Sequence, residues 1–339
     1  MDTKRTHAWQ SMYPPLQSHA HDWLDVGDGH QVYWEECGNP LGQPALFVHG
    51  GPGAGCTTDD RRWFDPRRYR IVLFDQRGAG RSRPCGRLIA NDTEHLVRDM
   101  ETLRRHLQIE RWLLFGGSWG ATLALAYAQC QPERTQALVL RGVFTAASSE
   151  RRWLYTDQGA AALYPEAWQR LTLPIEASQC TDVLSALAKQ LHCGDAATEQ
   201  AVARAWMQWE QDLMELEVQT PQKPTGQRFP DDGTALAMAR IGVHFACHAF
   251  FLEEGQLLVQ AARLRSVPGV IAQGERDLVT PPAAALALHR AWPHSRLHLI
   301  EAAGHASSHP AMAQQLIAAT DHFGAPARRS APRHKLTTV

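Results

Sequence analysis

The chain contains no long hydrophobic run and no marked excess of charge of either sign. No apolar stretch approaches the ~20 residues that a transmembrane helix needs, so the sequence predicts no membrane partner. The formal net charge of −1 argues against nucleic acid or an anionic surface as the main partner. The N-terminal residues also lack the apolar core of a secretory signal peptide.

The seven cysteines are scattered, and none belongs to a Cys-x-x-Cys pair. This pattern predicts reduced, mostly buried thiols and a cytoplasmic location. The sequence also lacks a GxxxxGK[ST] phosphate loop, an N-terminal GxGxxG turn, a HExxH motif and any paired Cys/His spacing. We therefore expect no metal and no cofactor. Nothing in the sequence indicates an oligomeric state.

Short runs rich in Val, Leu and Ile recur along the chain without polar alternation, which is typical of strands buried on both faces. These runs lie at 44–53, 69–82, 111–117, 137–144, 269–277 and 295–305. Helical stretches at 93–108 and 122–129 separate some of them, so the pattern predicts an α/β fold with a mostly parallel sheet. The segment 23–38 alternates around Gly-Asp-Gly and predicts an antiparallel hairpin at the sheet edge.

Between residues 146 and 255 the strand-like runs disappear, and Trp, Ala, Gln and Glu dominate. A helical block inserted late in the strand order is well placed to cover the carboxyl edge of the sheet, where α/β proteins bind ligands. The expected organisation is a core at 10–145, a helical cap at 146–255 and the rest of the core at 256–325. The Pro- and Arg-rich tail at 326–339 is expected to be disordered.

A single serine lies where a predicted strand meets a predicted helix, in the sequence Gly116-Gly117-Ser118-Trp119-Gly120. A strand that turns sharply into a helix holds the turn residue in a strained conformation, and small neighbours let the backbone close there. The Ser118 hydroxyl would then lie beside a helix N-terminus, whose free N–H groups favour developing negative charge. Although Gly-x-Ser-x-Gly alone also occurs in ordinary turns, this context predicts Ser118 as a nucleophile.

A serine hydroxyl needs a base to take its proton and a carboxylate to orient that base. The chain order typical of this arrangement is serine, acid and histidine, with the last two after late strands. The sequence supplies Asp277 and His305 in those positions, and they are the predicted acid and base. The competing side chains are Glu275 for the acid, and His309 and His294 for the base.

A serine nucleophile of this kind also needs N–H donors for the developing oxyanion. One donor is expected from Trp119, the residue after the nucleophile, and the other from the loop after an early strand. The HGGPG loop at 49–53 fits, because its glycines let the backbone approach a carbonyl closely. Gly51 is the predicted donor and Gly50 the alternative, while His49 is expected to shape the loop.

The chain resembles the proline iminopeptidases (prolyl aminopeptidases) of the α/β-hydrolase superfamily over about residues 10–325. The motifs that carry this resemblance are HGGPG (49–53), DQRGAGRS (75–82), GGSWGATLALAYAQ (116–129), LVLRGVF (138–144), GERD (274–277) and AGH (303–305). DQRGxGRS together with GGSWG is specific to this group. The resemblance implies an α/β-hydrolase fold with a helical cap over the triad, and release of an N-terminal proline from a peptide.

The resemblance also implies that a carboxylate on a cap helix holds the free amino terminus of the substrate. The segment AWMQWE (205–210) matches, so this role carries over to Glu210. A charge-assisted hydrogen bond to an ammonium is worth ~1.5–3 kcal/mol, enough to select for a free amine. Without the resemblance, Glu210 would be expected to be a solvated helix residue. The aromatic residues expected to flank the substrate ring are Phe144, Trp153, Tyr155 and Phe245.

One part of the chain departs from the family pattern. In ARIGVHFACHAF (239–250), Gly242 stands where a second amine-binding carboxylate is expected, and Ala246 replaces an aromatic residue. Losing one of two charged partners costs about 2 kcal/mol, or about thirty-fold in affinity. Glu253 and Glu254 are the nearby carboxylates that would have to substitute.

Three functional hypotheses follow. The first is a serine hydrolase that releases an N-terminal proline or similar residue from small peptides or amides. The second is the same triad acting as an esterase or amidase on a small substrate without a free α-amine, which Gly242 and Ala246 favour. The third is a non-catalytic binding protein with a hydrolase fold, which the complete triad disfavours.

Overall fold

The computed structural model describes residues 12–175, 182–215 and 231–325 of the chain. Within these ranges eight strands form one sheet in the order β1-β2-β4-β3-β5-β6-β7-β8. The strands are β1 (Ser18–Asp25), β2 (Gln31–Gly38), β3 (Gln43–Val48), β4 (Tyr69–Phe74), β5 (Trp112–Gly117), β6 (Thr135–Arg141), β7 (Gly269–Gly274) and β8 (Ser295–Ile300). Strand β2 pairs antiparallel with β1 and β4, and the other neighbouring pairs are parallel. The α/β architecture predicted from the sequence is confirmed.

Helices lie on both faces of this sheet and in a long segment between β6 and β7. They are α1 (Thr93–His106), α2 (Trp119–Cys130), α3 (Ser148–Tyr155), α4 (Ala160–Leu163), α5 (Pro165–Thr172), α6 (Val183–Gln190), α7 (Ala196–Glu215), α8 (Asp232–Cys247), α9 (Gln256–Val259), α10 (Ala283–Ala291) and α11 (Pro310–Phe323). Helices α1, α2 and α10 pack on one face of the sheet, and α11 packs on the other.

The central strands divide their side chains between two buried clusters. In β3, for example, Leu46 and Val48 belong to the cluster under α2, while Ala45 and Phe47 belong to the cluster under α11. Successive side chains of a strand point to opposite faces, so a strand covered on both sides must be apolar at every position. This explains why these strands appear in the sequence as continuous apolar runs.

The predicted edge hairpin is present. Strands β1 and β2 pair antiparallel, and β1 forms one edge of the sheet. The turn between them contains Gly27, Asp28 and Gly29, all with positive φ. Glycine and aspartate are among the residues that adopt this backbone conformation most readily, which is why Gly-Asp-Gly is an effective turn signal.

Two predicted helix boundaries differ from the observed ones. The helix predicted at 93–108 ends at His106, because Gln108 turns the chain with a φ of +54°. The helix predicted at 122–129 begins earlier, at Trp119, so that its first turn directly follows Ser118.

The segment between β6 and β7 is helical where the structure describes it, in agreement with the composition of residues 146–255. Helix α8 lies over the HGGPG loop, since an ideal Cβ on Gly53 would lie 3.2 Å from Cβ of Ile241. The domain boundaries at 10–145, 146–255 and 256–325 stay predictions. The expected disorder of residues 326–339 concerns a stretch outside the described residues.

No single helix in the described ranges has the length and apolar character needed to cross a membrane. One pair of helical segments, Asp232–Cys247 and Ala249–Leu264, reaches that length and composition only jointly, across an 80° bend.

Candidate active site

Ser118 lies at the turn that joins β5 to α2. Its φ of +57° and ψ of −128° are strained for a residue with a Cβ. The turn is held by β6, because the Ser118 N–H donates to the Arg141 carbonyl at 2.9 Å. The strained strand-to-helix turn predicted from the sequence is therefore present, and the Ser118 side chain remains partly accessible to solvent.

Two glycines of this turn have no room for a side chain. An ideal Cβ on Gly120 would overlap the carbonyl oxygen of Val48, because the first turn of α2 packs against the end of β3. An ideal Cβ on Gly116 would overlap the carbonyl oxygen of Gly120. Neither glycine has a positive φ, so the close approach of backbone segments is what requires glycine here.

The loops after β7 and β8 bring Asp277 and His305 together. The His305 Nδ1 lies 2.9 Å from Oδ2 and 3.0 Å from Oδ1 of Asp277, and both residues are buried. Glu275 is exposed and makes no hydrogen bond to His305 within the described residues. The geometry therefore pairs His305 with Asp277. Of the competing histidines, His294 is exposed and His309 precedes α11.

Thr280 and Gln273 hold the Asp277 carboxylate in place. Asp277 accepts hydrogen bonds from the Thr280 N–H at 2.8 Å, the Thr280 hydroxyl at 2.9 Å and the Gln273 side-chain amide at 3.1 Å. Burial alone would raise the pKa of Asp277, but His305 and the Thr280 N–H hold this pKa below its ordinary value. The carboxylate is therefore ionised at neutral pH.

Burial lowers the pKa of His305, although the nearby Asp277 carboxylate opposes this shift. The imidazole is therefore neutral at pH 7. Because Nδ1 donates to Asp277, Nε2 carries the free lone pair and has the form that a general base requires.

Arg141, at the end of β6, connects the two halves of the site. Its carbonyl accepts the Ser118 N–H, and its guanidinium donates to the His305 carbonyl. An ideal Cβ on the next residue, Gly142, would lie 2.9 Å from Cε1 of His305. Ser118 and His305 thus both lie against the segment formed by Arg141 and Gly142. Among the described residues no hydrogen bond joins the Ser118 hydroxyl to His305; such bonds often tighten only when substrate is present.

The HGGPG loop lies next to the nucleophile. An ideal Cβ on Gly50 would lie 3.7 Å from Cβ of Ser118, and Gly51 has a φ of +109°, a value that favours glycine. His49 is buried and bonded within the loop, where its Nδ1 donates to the Gly50 carbonyl at 2.9 Å. As expected, His49 shapes the loop. The choice between Gly51 and Gly50 as the donor stays a prediction.

Two of the predicted aromatic residues belong to a cluster around Trp119. The ring of Phe245, on α8, lies 4.9 Å from the Trp119 ring in an edge-on orientation. Phe144 contacts Phe250 at 4.8 Å, and Phe250 in turn lies 5.7 Å from Trp119. Phe144 and Phe245 are buried, so they would contribute to a pocket as its packed wall.

The other two predicted aromatic residues lie on α3. The Trp153 indole donates to the carbonyl of Leu278, the residue after Asp277. Tyr155 stacks on Trp206 of α7, with ring centres 5.3 Å apart and planes at 16°. Helix α3 therefore connects the loop after β7 to α7.

Glu210 is partly buried on α7, and its carboxylate has no hydrogen bond or ion pair with any other described residue. Burial raises the pKa of Glu210 to about 7. Burial is also the main reason for the raised pKa of Tyr155, and the charge of Glu210 adds to it. Glu210 is thus a partly buried acidic group that has no cationic partner among the described residues.

Gly242 of α8 faces Trp206. An ideal Cβ on Gly242 would lie 3.1 Å from the indole nitrogen of Trp206. Glu254, one of the proposed substitutes for a carboxylate here, instead accepts the Ser148 N–H at 3.0 Å at the start of α3. Glu253 is exposed. Within the described ranges, no group of three His, Cys, Asp or Glu side chains is arranged to hold a metal.

Comparison with known proteins places this site in a family. A family model described as the alpha/beta hydrolase fold matches residues 43–310. The proline iminopeptidase of Xylella fastidiosa is 44% identical over 317 residues, which cover 93% of this chain and 99% of the relative. That of Arabidopsis thaliana is 42% identical over 93% of this chain and 83% of its own length. The chain belongs to the proline iminopeptidase family.

Solved structures show the same fold at lower sequence identity. An esterase from Exiguobacterium antarcticum superposes with a TM-score of 0.58 at 17% identity, covering 89% of this chain and 99% of its own. A bromoperoxidase from Bacillus anthracis gives 0.55 at 18% identity, covering 90% and 99%. These similarities are similarities of fold, the α/β-hydrolase architecture.

The structure adds residues that sequence analysis missed in this member of the proline iminopeptidase family. Thr280 and Gln273 bind the Asp277 carboxylate, and Arg141 connects the Ser118 turn to His305. A weak signal for Arg141 was available, because it is a charged residue at the carboxyl end of a buried parallel strand. For Thr280 and Gln273 no comparable signal exists, since threonine and glutamine are common near strand ends.

Proposed function

We propose that this protein is a serine hydrolase that releases an N-terminal proline, or a similar residue, from small peptides and amides. The observation that carries the proposal is membership of the proline iminopeptidase family across nearly the whole chain. The buried hydrogen bond between His305 and Asp277 supports it, because this pair has the geometry and protonation that a serine nucleophile needs.

In the proposed reaction the Ser118 oxygen attacks the scissile carbonyl while Nε2 of His305 takes the hydroxyl proton. The N–H groups of Trp119 and Gly51 donate to the oxyanion of the tetrahedral intermediate. The C–N bond then breaks, and His305 gives its proton to the leaving amine. Water, deprotonated by His305, hydrolyses the acyl-enzyme and restores Ser118, while Asp277 orients the imidazole throughout.

Substrate selection is assigned to α3, α7 and α8. Glu210 would bind the protonated amine of the N-terminal residue, and this ion pair would satisfy a carboxylate that has no partner among the described residues. The flanking aromatic residues proposed for the proline ring are Phe144, Trp153, Tyr155 and Phe245.

Hydrolysis of a prolyl anilide by the wild type and by Ser118→Ala tests the mechanism. We expect turnover by the wild type, and loss of turnover together with loss of fluorophosphonate labelling in the variant. Retained turnover in Ser118→Ala would exclude the mechanism. Absence of labelling in the wild type would favour a non-catalytic binding protein.

A second candidate function is supported by the surroundings of Gly242. Where the family resemblance implies a carboxylate, Gly242 carries no side chain, and an ideal Cβ there would lie 3.1 Å from the indole nitrogen of Trp206. Such a site holds one carboxylate instead of two and would accept an ester or amide that has no free α-amine.

The variant Gly242→Glu distinguishes the two candidates, with the neutral Gly242→Gln as its matched control. A second carboxylate should raise kcat/KM for prolyl anilides by about thirty-fold and leave p-nitrophenyl acyl esters unchanged. A wild type that already prefers prolyl anilides over esters and depends on Glu210 would reject the second candidate.

A further inference from the structure

Gln76 lies in the DQRGAGRS motif directly after β4, and the mechanism proposed above assigns it no role. The side chain is buried, with 1% of its surface exposed. Strands β3 and β4 pair in parallel up to Val48 and Phe74, so the backbone places the start of the HGGPG loop beside the start of this motif.

Both ends of the Gln76 amide are engaged, and each contacts a different part of the site. Its side-chain nitrogen donates to the His49 carbonyl at 2.9 Å. Its side-chain oxygen accepts the indole N–H of Trp119 at 2.8 Å. One planar group therefore connects the residue before the glycine pair Gly50-Gly51 to the residue after Ser118.

The backbone of Gln76 adds a third contact, because its N–H donates to Nε2 of His49 at 2.9 Å. This bond requires an unprotonated Nε2, and the bond from Nδ1 to the Gly50 carbonyl requires a proton on Nδ1. The Gln76 bond therefore selects the neutral tautomer with its proton on Nδ1, which lies 2.9 Å from the Gly50 carbonyl and 3.2 Å from the Gly55 nitrogen. Burial also lowers the pKa of His49, which keeps the ring neutral at pH 7.

We propose that Gln76 is a positioning residue that sets the distance between the two oxyanion donors. The backbone N–H groups assigned to that role belong to Trp119 and to Gly51. Gln76 binds the indole of Trp119 and the carbonyl of His49, which lies two residues before Gly51. The inference rests on the proposed function, because it requires the oxyanion that forms when Ser118 attacks a carbonyl. It does not depend on which acyl group the enzyme accepts.

A side chain with a donor and an acceptor at a fixed separation is needed for this link. The His49 carbonyl requires a donor and the Trp119 indole requires an acceptor, and a carboxamide offers both in one plane. Donors that stabilise an oxyanion act through their fixed placement, so a small displacement of either one costs rate but not substrate affinity.

The test compares Gln76→Met with Gln129→Met. Gln129 is the matched control: it is equally buried, it donates to the Leu257 carbonyl at 2.7 Å, and it lies near the far end of α2 from Ser118. We expect Gln76→Met to lower kcat by about 10- to 100-fold with KM changed less than about three-fold. Gln129→Met should change neither parameter, even if both variants lower the melting temperature equally.

A double-mutant cycle with Trp119→Phe tests the link itself, because this change removes the indole donor and keeps the backbone N–H. If Gln76 acts through Trp119, the double variant should lose little more than Gln76→Met alone. Independent, multiplicative losses would contradict the proposal. Equal losses of kcat in Gln76→Met and Gln129→Met would show that Gln76 has only a structural role. That result would also overturn the proposal.

The measurements use a prolyl anilide, a p-nitrophenyl ester and the rate of fluorophosphonate labelling at Ser118. If the wild type hydrolyses only the ester, the proposed substrate is wrong, and the ester still tests Gln76. If Gln76→Met retains wild-type kcat on every hydrolysed substrate, the positioning role is wrong whatever the substrate. A wild type that neither turns over nor labels would refute both proposals.

Discussion

At the residue scale, a few protonation states set the conditions under which the site can work. Burial keeps His305 and His49 neutral at pH 7, each in the tautomer that its hydrogen bonds require. Asp277 stays ionised because His305 and the Thr280 N–H outweigh its burial. Glu210 differs from these groups, since burial raises its pKa and no cation in the described part of the chain compensates.

The pKa of Glu210, raised to about 7, predicts pH-dependent binding of amines. Below this pH the carboxyl group is neutral and cannot pair with an ammonium, whereas above it the charge is present. We expect KM for a prolyl anilide to fall as the pH rises through about 7. Steady-state kinetics across this range should show that dependence.

The controls are Glu210→Gln and a p-nitrophenyl ester without an amine. Neither the variant acting on the anilide nor the wild type acting on the ester should show the change in KM. A pH-independent KM for the wild type on the anilide would mean that Glu210 does not bind the amine.

Single residues also show how far sequence reasoning reaches. The pairing of His305 with Asp277 was predictable, because strand ends and chain order left few candidates. The contacts of Thr280 and Gln76 were not predictable, because they depend on how loops that are distant in the sequence pack against one another. The functional role of every site residue stays a prediction until the variants are measured.

At the scale of single elements, the junction of β5 and α2 is sterically constrained by close backbone contacts. Gly120 and Gly233 occupy the same position, the second residue of α2 and of α8. A Cβ on Gly120 would overlap backbone, whereas a Cβ on Gly233 would meet only a side-chain oxygen of Asp231 at 3.3 Å.

We therefore expect Gly120→Ala to lower the free energy of unfolding by about 3 kcal/mol or more, because no side-chain rotation relieves the overlap. Gly233→Ala should be neutral or stabilise by roughly 0.5–1 kcal/mol. Urea unfolding followed by circular dichroism measures both. Equal stabilities of the two variants would show that α2 can move away from β3.

Another element had no signal in the sequence. Ala249, Phe250 and Phe251 all have a positive φ, and this turn delivers Phe250 to the rings of Trp119 and Phe144. Neither alanine nor phenylalanine favours that conformation, so only the surrounding packing can impose it. Helices α3 to α8 were predictable as a helical region, but their mutual packing was not.

At the scale of the whole molecule, one buried ion pair connects distant segments. Arg77, in the loop after β4, bonds Asp99 of α1 at 2.7 Å, with both side chains 2% exposed. The same guanidinium donates to the Val26 carbonyl in the β1–β2 turn and to the partly exposed Asp28. Arg77 therefore joins the edge hairpin, the central sheet and a covering helix.

We expect Asp99→Asn to destabilise the fold by about 3–5 kcal/mol, because it leaves a buried guanidinium without its main partner. The control is Arg204→Gln, which breaks the exposed pair with Asp232 and should cost less than about 1 kcal/mol. Chemical denaturation of both variants measures the difference. A loss below about 1 kcal/mol for Asp99→Asn would mean that the pair adds little to stability.

The overall architecture was predictable because strands covered on both faces leave continuous apolar runs such as those of β3 and β5. The cytoplasmic location stays a prediction.

Strands β6 and β7 are hydrogen-bonded neighbours, with Leu138 opposite Gly269, although the chain makes its longest excursion between them. Both ends of that excursion are thus anchored at one place on the sheet. The intervening helices could be lengthened, shortened or exchanged in evolution without disrupting the hydrogen bonds between β6 and β7. Preference for a new acyl group can then evolve while Ser118, Asp277 and His305 stay unchanged.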